Sequence, residues 1–300
     1  MFAQNKVFRG YAGLFGALAI WTGWMVITRQ ASSTSLSGAE ISVIRFLVSG
    51  LLLMPIAVRV FGKDLFSLKH ISLALCMGAP YILFAATGMK YSSAAHAATF
   101  INGAMVLASV IFSVVLLNSR LSVSIYIGVA VLLLGLFLLG HLTSLNLGDL
   151  FFVLSGSMWA LYGVLLQRWR VPALRAVVAV NFWSLLLFSL PYVIISPGFL
   201  TSTPIEVLVT QGIFQGVFAS ILAHICFATA VANIGAARVS LFVPTVPVLT
   251  GLIGYYVLNE KLAANEWAGI ALVTTGIFIT KVKWANVLKI GRKEIAGTNL

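Results

Sequence analysis

Two stretches of this chain match each other. Residues 117–139, LNSRLSVSIYIGVAVLLLGLFLL, align without a gap to residues 258–280, LNEKLAANEWAGIALVTTGIFIT. Seven of the 23 pairs are identical, among them Asn118/Asn259, Leu121/Leu262, Gly128/Gly269 and Gly135/Gly276, and a basic residue recurs at Arg120/Lys261. Leu and Val coincide easily in an apolar chain, so the weight rests on the asparagine, the two glycines and the ungapped register. Each copy has one physical form: an apolar helix end, a short polar turn, then an apolar helix with glycines seven apart. In membrane carriers, internal repeats of this kind place the substrate site between the two halves.

The solvent for such a chain is lipid. Only 9% of its residues are charged, 60% are hydrophobic, and the mean hydropathy is +1.05, whereas soluble domains carry about 25% charged residues. A helix crosses the hydrocarbon core with about 20 apolar residues, and only helices or closed barrels cross at all. The apolar runs here are continuous rather than alternating, which excludes a barrel. They predict ten spans near 10–29, 40–59, 70–89, 94–117, 122–140, 148–167, 174–196, 207–232, 238–258 and 264–282. The breaks carry turn signals such as Gly62-Lys63-Asp64 and Ser196-Pro197-Gly198. A net charge of +12 does not make this a nucleic-acid binder, because the basic residues sit between apolar spans and form no stripe on one face. Cys76 and Cys226 lie inside apolar runs without metal-ligand spacing and read as buried thiols. Lys6 and Arg9 precede an apolar stretch that holds Trp21 and Trp24 but no cleavage signal, so it reads as a retained span rather than a signal peptide.

Lys and Arg set the orientation. With the N-terminus inside, fifteen of them fall on the cytoplasmic side, three (Arg29, Lys90, Lys261) fall outside, and Arg45 lies within a span; this is a strong positive-inside bias. Both termini are expected in the cytoplasm of a bacterial cell whose inner membrane the chain crosses. The copies are five spans apart, an odd number, so the second enters the membrane from the opposite side. The expected fold is an all-α membrane protein of ten transmembrane helices in two inverted five-helix repeats, residues 1–144 and 145–288, with a polar tail at 289–300. A weaker match, AIWTGW (19–24) against SMWALY (157–162), pairs Trp21 with Trp159 and Trp24 with Tyr162.

These features resemble the drug/metabolite transporter superfamily, EamA type, over residues 10–282. The resemblance lies in the inverted five-helix units and the LN-x-[RK]-L turn leading into a glycine-bearing helix. The usual acidic residue of that turn is matched by Glu260, whereas Ser119 departs from the pattern. Within the superfamily the chain is most similar to the YddG-like exporters of aromatic amino acids. The resemblance implies helices arranged around a central cavity, with spans 5 and 10 packed behind as support.

No catalytic constellation, cofactor motif, metal cluster or ATP-binding motif is present, so the chain reads as a carrier and not an enzyme, with no ATPase subunit implied. Three ionisable groups lie at membrane depth: Arg45, His96 and His224. Arg45, close to the outer end of span 2, either snorkels or binds carbonyls. His96 suits a helix end as well as a substrate. His224, deep in span 8, either bonds across helices or couples transport to protons. All seven carboxylates fall at span ends, in loops or in the tail, which argues against a carboxylate proton relay.

The candidate cavity-lining residues are Trp21, Trp24, Tyr81, Phe84, Phe100, Asn102, Trp159, Tyr162, His224 and Phe227. Trp169, Trp267 and Trp284 suit the interfacial belt. Trp21 and Trp159 suit it less, because both lie near mid-span, where an indole N–H requires a partner. Pro80, Pro244 and Pro247 are candidate hinges, each removing a backbone donor and freeing a carbonyl inside a span. Glycines 10, 13, 16, 251, 254, 269 and 276 are expected to permit close helix packing. The expected function is export of small, amphipathic, not strongly anionic metabolites, amino acids by family resemblance, with lipid and substrate as the only partners. Two alternatives stand beside it: a multidrug exporter for cationic lipophiles, which would call for a deep carboxylate, and a membrane-embedded lipid-handling protein or enzyme.

Overall fold

Backbone groups in hydrocarbon must bond within their own segment, and the computed structural model is helical, with no strand among its described residues. It describes residues 2–30, 36–88, 90–92, 94–139, 145–257 and 263–280. The side chains of Trp24 and His96, the turn at 258–262 and the tail with Trp284 lie outside that description. Seven described stretches are long and apolar enough to cross a membrane: Gly38–Phe66, Leu68–Ala85, Thr99–Leu117, Leu147–Trp169, Ala173–Ile195, Ile205–Ile234 and Ala236–Ile253. Val123–Leu139 and Ala264–Ile279 are apolar but shorter. Polarity runs inside out. Val115 and Phe278 are 65% and 69% exposed, whereas Ser49 and Gln215 are fully buried, the arrangement expected where lipid is the solvent.

Helix α1 is Phe2–Gln30 and α2 is Gly38–Ile56. Helix α2 opens on a capping box, in which Ser37 Oγ accepts from the Glu40 N–H and Glu40 accepts from the Ser37 N–H. The expected third span is split into α3 (Leu68–Met77) and α4 (Ala79–Gly88). The break falls at Gly78, two residues before Pro80, and there the Ala79 N–H leaves the helical ladder to donate to Ser184 Oγ at 3.1 Å. A Cβ on residue 78 would lie 2.3 Å from that same oxygen, so the break requires glycine. Helices α5 (Ala94–Leu117), α6 (Val123–Leu139) and α7 (Leu147–Trp169) follow. Asn118, the turn residue common to both repeats, has φ +50°, a conformation asparagine tolerates better than most residues.

Helix α8 (Ala173–Ser184) passes through a π-helical turn at Leu185–Ser189 into α9 (Leu190–Ile195), and α10 (Gly198–Ser202) forms the connection. Helix α11 (Ile205–Gln211), eleven π-helical residues at Gly212–Leu222 and α12 (Ala223–Ile234) make one continuous rod. Helix α13 (Ala236–Ser240) is separated from α14 (Thr245–Val257) by a turn that contains Pro244, and Pro247 lies in the first turn of α14. Helix α15 is Ala264–Ile279.

Side-chain bonds gather at two ends of the molecule. At one end Arg175 pairs with Asp64 at 3.2 Å, Arg168 donates to Leu116 O, and Gln167 accepts from the Ala236 N–H. At the other end Ser92 joins Asn146 and Asp149, and Asn265 donates to Leu138 O. Helix α7 separates the two groups by roughly 34 Å, from its 23 residues at 1.5 Å each.

Helices α6 and α15 meet backbone to backbone and antiparallel. A Cβ on Gly128 would sit 2.6 Å from Gly276 O, and one on Gly276 would sit 2.7 Å from Gly128 O; Gly135 and Gly269 stand in the same relation at 2.9 Å. The repeat glycines therefore pair crosswise, Gly128 with the partner of Gly135 and the reverse. Gly13 of α1 packs equally tightly on Cys226 O of α12, but no described residue comes within 4 Å of a Cβ on Gly251, against the expectation of a packing role there. The surroundings of Gly254 lie outside the described residues.

Candidate functional site

Five helices bring their mid-depth residues to one place. Helix α1 contributes Trp21, α4 Tyr81, α7 Trp159 and Tyr162, α12 His224 and Phe227, and α2 Arg45. The pairs on α7 and α12 are each three residues apart, which sets both members on one helical face. Trp21 meets Trp159 edge to face, with ring centroids 5.1 Å apart at 89°. Phe227 is the hub, lying 5.8 Å from Trp21, 6.1 Å from Trp159 and stacked on Tyr162 at 6.1 Å. Tyr81 reaches Trp159 at 5.9 Å, and Trp21 reaches the His224 ring at 6.0 Å. Aromatic pairs of this geometry contribute about 0.5–1.5 kcal/mol each beyond their buried area.

The polar atoms of this cluster are unusual. Buried polar groups in folded proteins are nearly always paired. Here Trp159 Nε1, Tyr162 Oη, His224 Nε2 and Arg45 Nε are buried without a hydrogen-bond partner among the described residues. The other three such atoms, on Thr22, Ser113 and Thr250, are single hydroxyls. Four unpaired groups of four chemical types on neighbouring side chains are best explained by a site built for something else to bind.

The π-helical rod explains how two of them are set. Its ladder steps back five residues, so the Ala223 N–H bonds Phe218 O. Where the step shortens to four, one carbonyl drops out of the ladder. Ala219 O is taken instead by side chains: His224 Nδ1 donates to it at 2.9 Å, and Arg45 Nη2 points at it from 3.5 Å. With Nδ1 carrying the proton, Nε2 of a neutral imidazole is a lone-pair acceptor. Arg45 lies close enough to Tyr81 and His224 to interact electrostatically with both. Behind it, Ser49 Oγ lies 2.7 Å from Arg45 O and 2.5 Å from Asn181 Oδ1, which also accepts from Ser220 Oγ at 2.7 Å. This network ties α2, α8 and the π-helical rod together.

The structure therefore brings Trp21, Tyr81, Trp159, Tyr162, His224 and Phe227 into one cluster. Phe84 instead packs on Phe151 at 6.1 Å. Asn102 is buried in α5 and Phe100, on the same helix, is half-buried. The side chain of Trp24 lies outside the described residues. Arg45 was expected to snorkel or bind carbonyls; it does approach one carbonyl, yet it also belongs to the site. Its signal was legible, since an arginine in a span is costly, at about 2.5–3.5 kcal/mol or more. The π-helical stretch had no sequence signal beyond its glycines: Gly216 lets it approach α2, where a Cβ would lie 2.8 Å from Val48.

A separate groove of about 500 Å³ opens between α1, α14 and α15, lined by Phe15, Leu18, Phe242, Val273 and Phe278 among others. Its lining carries no charged side chain, and Phe15 and Phe278 face outward, so it belongs to the lipid-facing surface.

Residues 8–140 and 146–282 each match the model of the EamA-like transporter family. A protein of Archaeoglobus fulgidus described as an uncharacterized transporter is 25% identical over 140 residues, 45% of this chain and 47% of that protein. The match thus spans about half the length of that relative. A solved structure, described only as that of a protein, superposes with a TM-score of 0.72 at 17% identity, covering 93% of this chain and 96% of the other. That likeness concerns the fold alone.

Proposed function

This chain belongs to the EamA-like transporter family, and from that premise we propose that it is a secondary transporter exporting small amphipathic metabolites, foremost apolar and aromatic amino acids, across a bacterial inner membrane. The observation that carries this reading is the buried cluster at Trp21, Trp159 and Phe227, where aromatic faces and unpaired polar atoms lie together, Trp159 itself roughly 15 Å or more from either end of α7. Ligand pockets combine apolar walls with a few polar groups in this way.

Ten helices in two inverted units are the architecture proposed around that cluster. Its support is reciprocity. Gly128 with Gly276, Gly135 with Gly269, and Trp21 with Trp159 are the contacts that a two-fold relation between matching segments would create. Arg168, Arg175 and Arg238 fall at one end of the rods, which supports that end as the cytoplasmic one. Transport then proceeds by alternating access: the halves rock about the cluster, with flexure at the helix breaks beside Pro80 and Pro244. None of the described carboxylates enters the cluster, so concentration-driven export or coupling through His224 replaces a carboxylate relay.

The purified chain in liposomes, given radiolabelled phenylalanine, leucine and tyrosine with and without a pH gradient, tests this. Saturable flux of at least one is expected. Absence of saturable flux for every amino acid removes this substrate class.

A further inference from the structure

Within the transport site just proposed, on which this inference rests, the balance of donors and acceptors specifies part of the ligand. Arg45 Nε and Trp159 Nε1 can only donate, and Tyr162 Oη can donate; among the unpaired atoms only His224 Nε2, in the tautomer fixed by Ala219 O, is an acceptor alone. The cluster thus presents more donors than acceptors, and one donor carries a permanent positive charge. No described carboxylate neutralises that charge. Glu40 caps α2, Asp149 caps α7, Glu266 accepts from the Ala263 N–H, Asp64 pairs with Arg175, and Glu206 is exposed in the first turn of α11. Arg45 is also poorly held as a scaffold residue. Its one contact to a carbonyl is 3.5 Å long, and its own neighbour Phe46 lies 5.8 Å beneath the guanidinium.

Arg45 is half-buried with its Nε fully enclosed, and a cation with spare donors in such a place is complementary to an anionic oxygen group, a pairing that is stronger where water is excluded. We infer that the site binds its ligand through a single carboxylate held by Arg45, Trp159 and Tyr162, with an apolar or aromatic body against Trp21, Tyr81 and Phe227. The ammonium of an amino acid meets only the neutral acceptors His224 Nε2 and Tyr162 Oη. It is therefore dispensable, and carboxylic acids that lack an amino group belong to the substrate class. This revises the expectation, from the sequence, of a ligand without marked anionic character.

Three ligands of one shape separate the groups: phenylalanine, 3-phenylpropionate and 2-phenylethylamine, titrated calorimetrically into the detergent-solubilised full chain. Phenylalanine and 3-phenylpropionate are expected to bind within about tenfold of each other, and 2-phenylethylamine at least about tenfold more weakly. Arg45→Gln should weaken both acids by about tenfold or more and leave the amine unchanged, with Arg45→Lys restoring part of the loss. Trp159→Phe, which keeps a ring and removes one donor, should weaken the acids less, and it serves as the test if Arg45→Gln does not fold. Equal binding of the amine and the acid overturns the inference while leaving the transport reading intact, as does a folded Arg45→Gln chain that still binds 3-phenylpropionate normally. If the unaltered chain binds none of the three, the cluster is not the site of small amphipathic ligands, and both readings fall.

Discussion

Two meetings of matching residues define this molecule, and they differ in kind. Where α6 crosses α15, Gly128 and Gly135 lie against Gly276 and Gly269, so that backbone approaches backbone, flanked by atoms of Thr280, Leu272 and Leu139. Where α1 approaches α7, Trp21 and Trp159 touch edge to face, and polar atoms nearby are left unpaired. The glycine seam has little freedom to repack, because each of its glycines lies close against backbone atoms of the facing helix. The aromatic cluster can repack and admit a ligand, because its contacts belong to side chains whose rings can turn and whose polar atoms are unspent. The seam is scaffold. The cluster is where the molecule can respond.

Substitutions sharpen that contrast. The largest effect is expected from Gly135→Leu or Gly276→Leu. Each Cβ would fall within 2.6–2.7 Å of backbone atoms of the facing helix, a clash that no rotamer relieves. A loss of about 3 kcal/mol or more should appear as disappearance of the monodisperse peak in size-exclusion chromatography. A stable, monodisperse Leu variant would show that the seam is not what it is described to be.

Trp159→Phe should separate the two regions next. It keeps a ring in the cluster, so the melting temperature should fall only modestly, by the equivalent of about 1–2 kcal/mol, while saturable flux drops several-fold with the lost donor. Flux and stability falling together in proportion would make Trp159 merely structural.

Tyr162→Phe is the finer test. Removing a buried hydroxyl that has no partner should leave stability unchanged or raise it, by up to about 1 kcal/mol, yet flux should fall. Destabilisation measured by thermal unfolding would mean that the hydroxyl is bonded within the fold. Gly251→Ala closes the series as the counterpart of the seam. With no described residue within 4 Å of the added methyl, it should shift stability by less than about 1 kcal/mol, in the stabilising direction, and leave flux alone.

Much of this was legible in the sequence, and the reason is the solvent. In lipid, an unbroken apolar run has few options but helix, so the helical stretches fall close to the expected spans, and Asn118 lies in the expected turn after α5, with φ +50°. Trp21 and Trp159 stood out because indoles at mid-depth conflict with their interfacial preference. Other features were not legible. Phe84 and Phe227 look alike in sequence, both aromatics deep in apolar helices. Which one joins the cluster depends on helix rotation, and an apolar rod surrounded by apolar solvent leaves almost no periodicity to reveal it. The helix breaks are a related case. At the third span the break falls at Gly78, two residues before Pro80, and the carbonyl taken by His224 and Arg45 is that of Ala219, in the π-helical stretch.

The sequence by itself determined the helical class, the membrane as solvent and the kinship of residues 117–139 with 258–280. Composition and local pattern carry those, because each follows from what a residue must do with its own backbone and its own solvent. Only the tertiary structure decided that Arg45 lies beside His224 and Tyr81, that four polar atoms on neighbouring side chains are left without partners among the described residues, and that matching glycines meet crosswise. Those depend on helix rotation, on a ladder that slips by one residue, and on which side chain claims a freed carbonyl. Such choices are made between segments distant in the chain, where no local pattern records them.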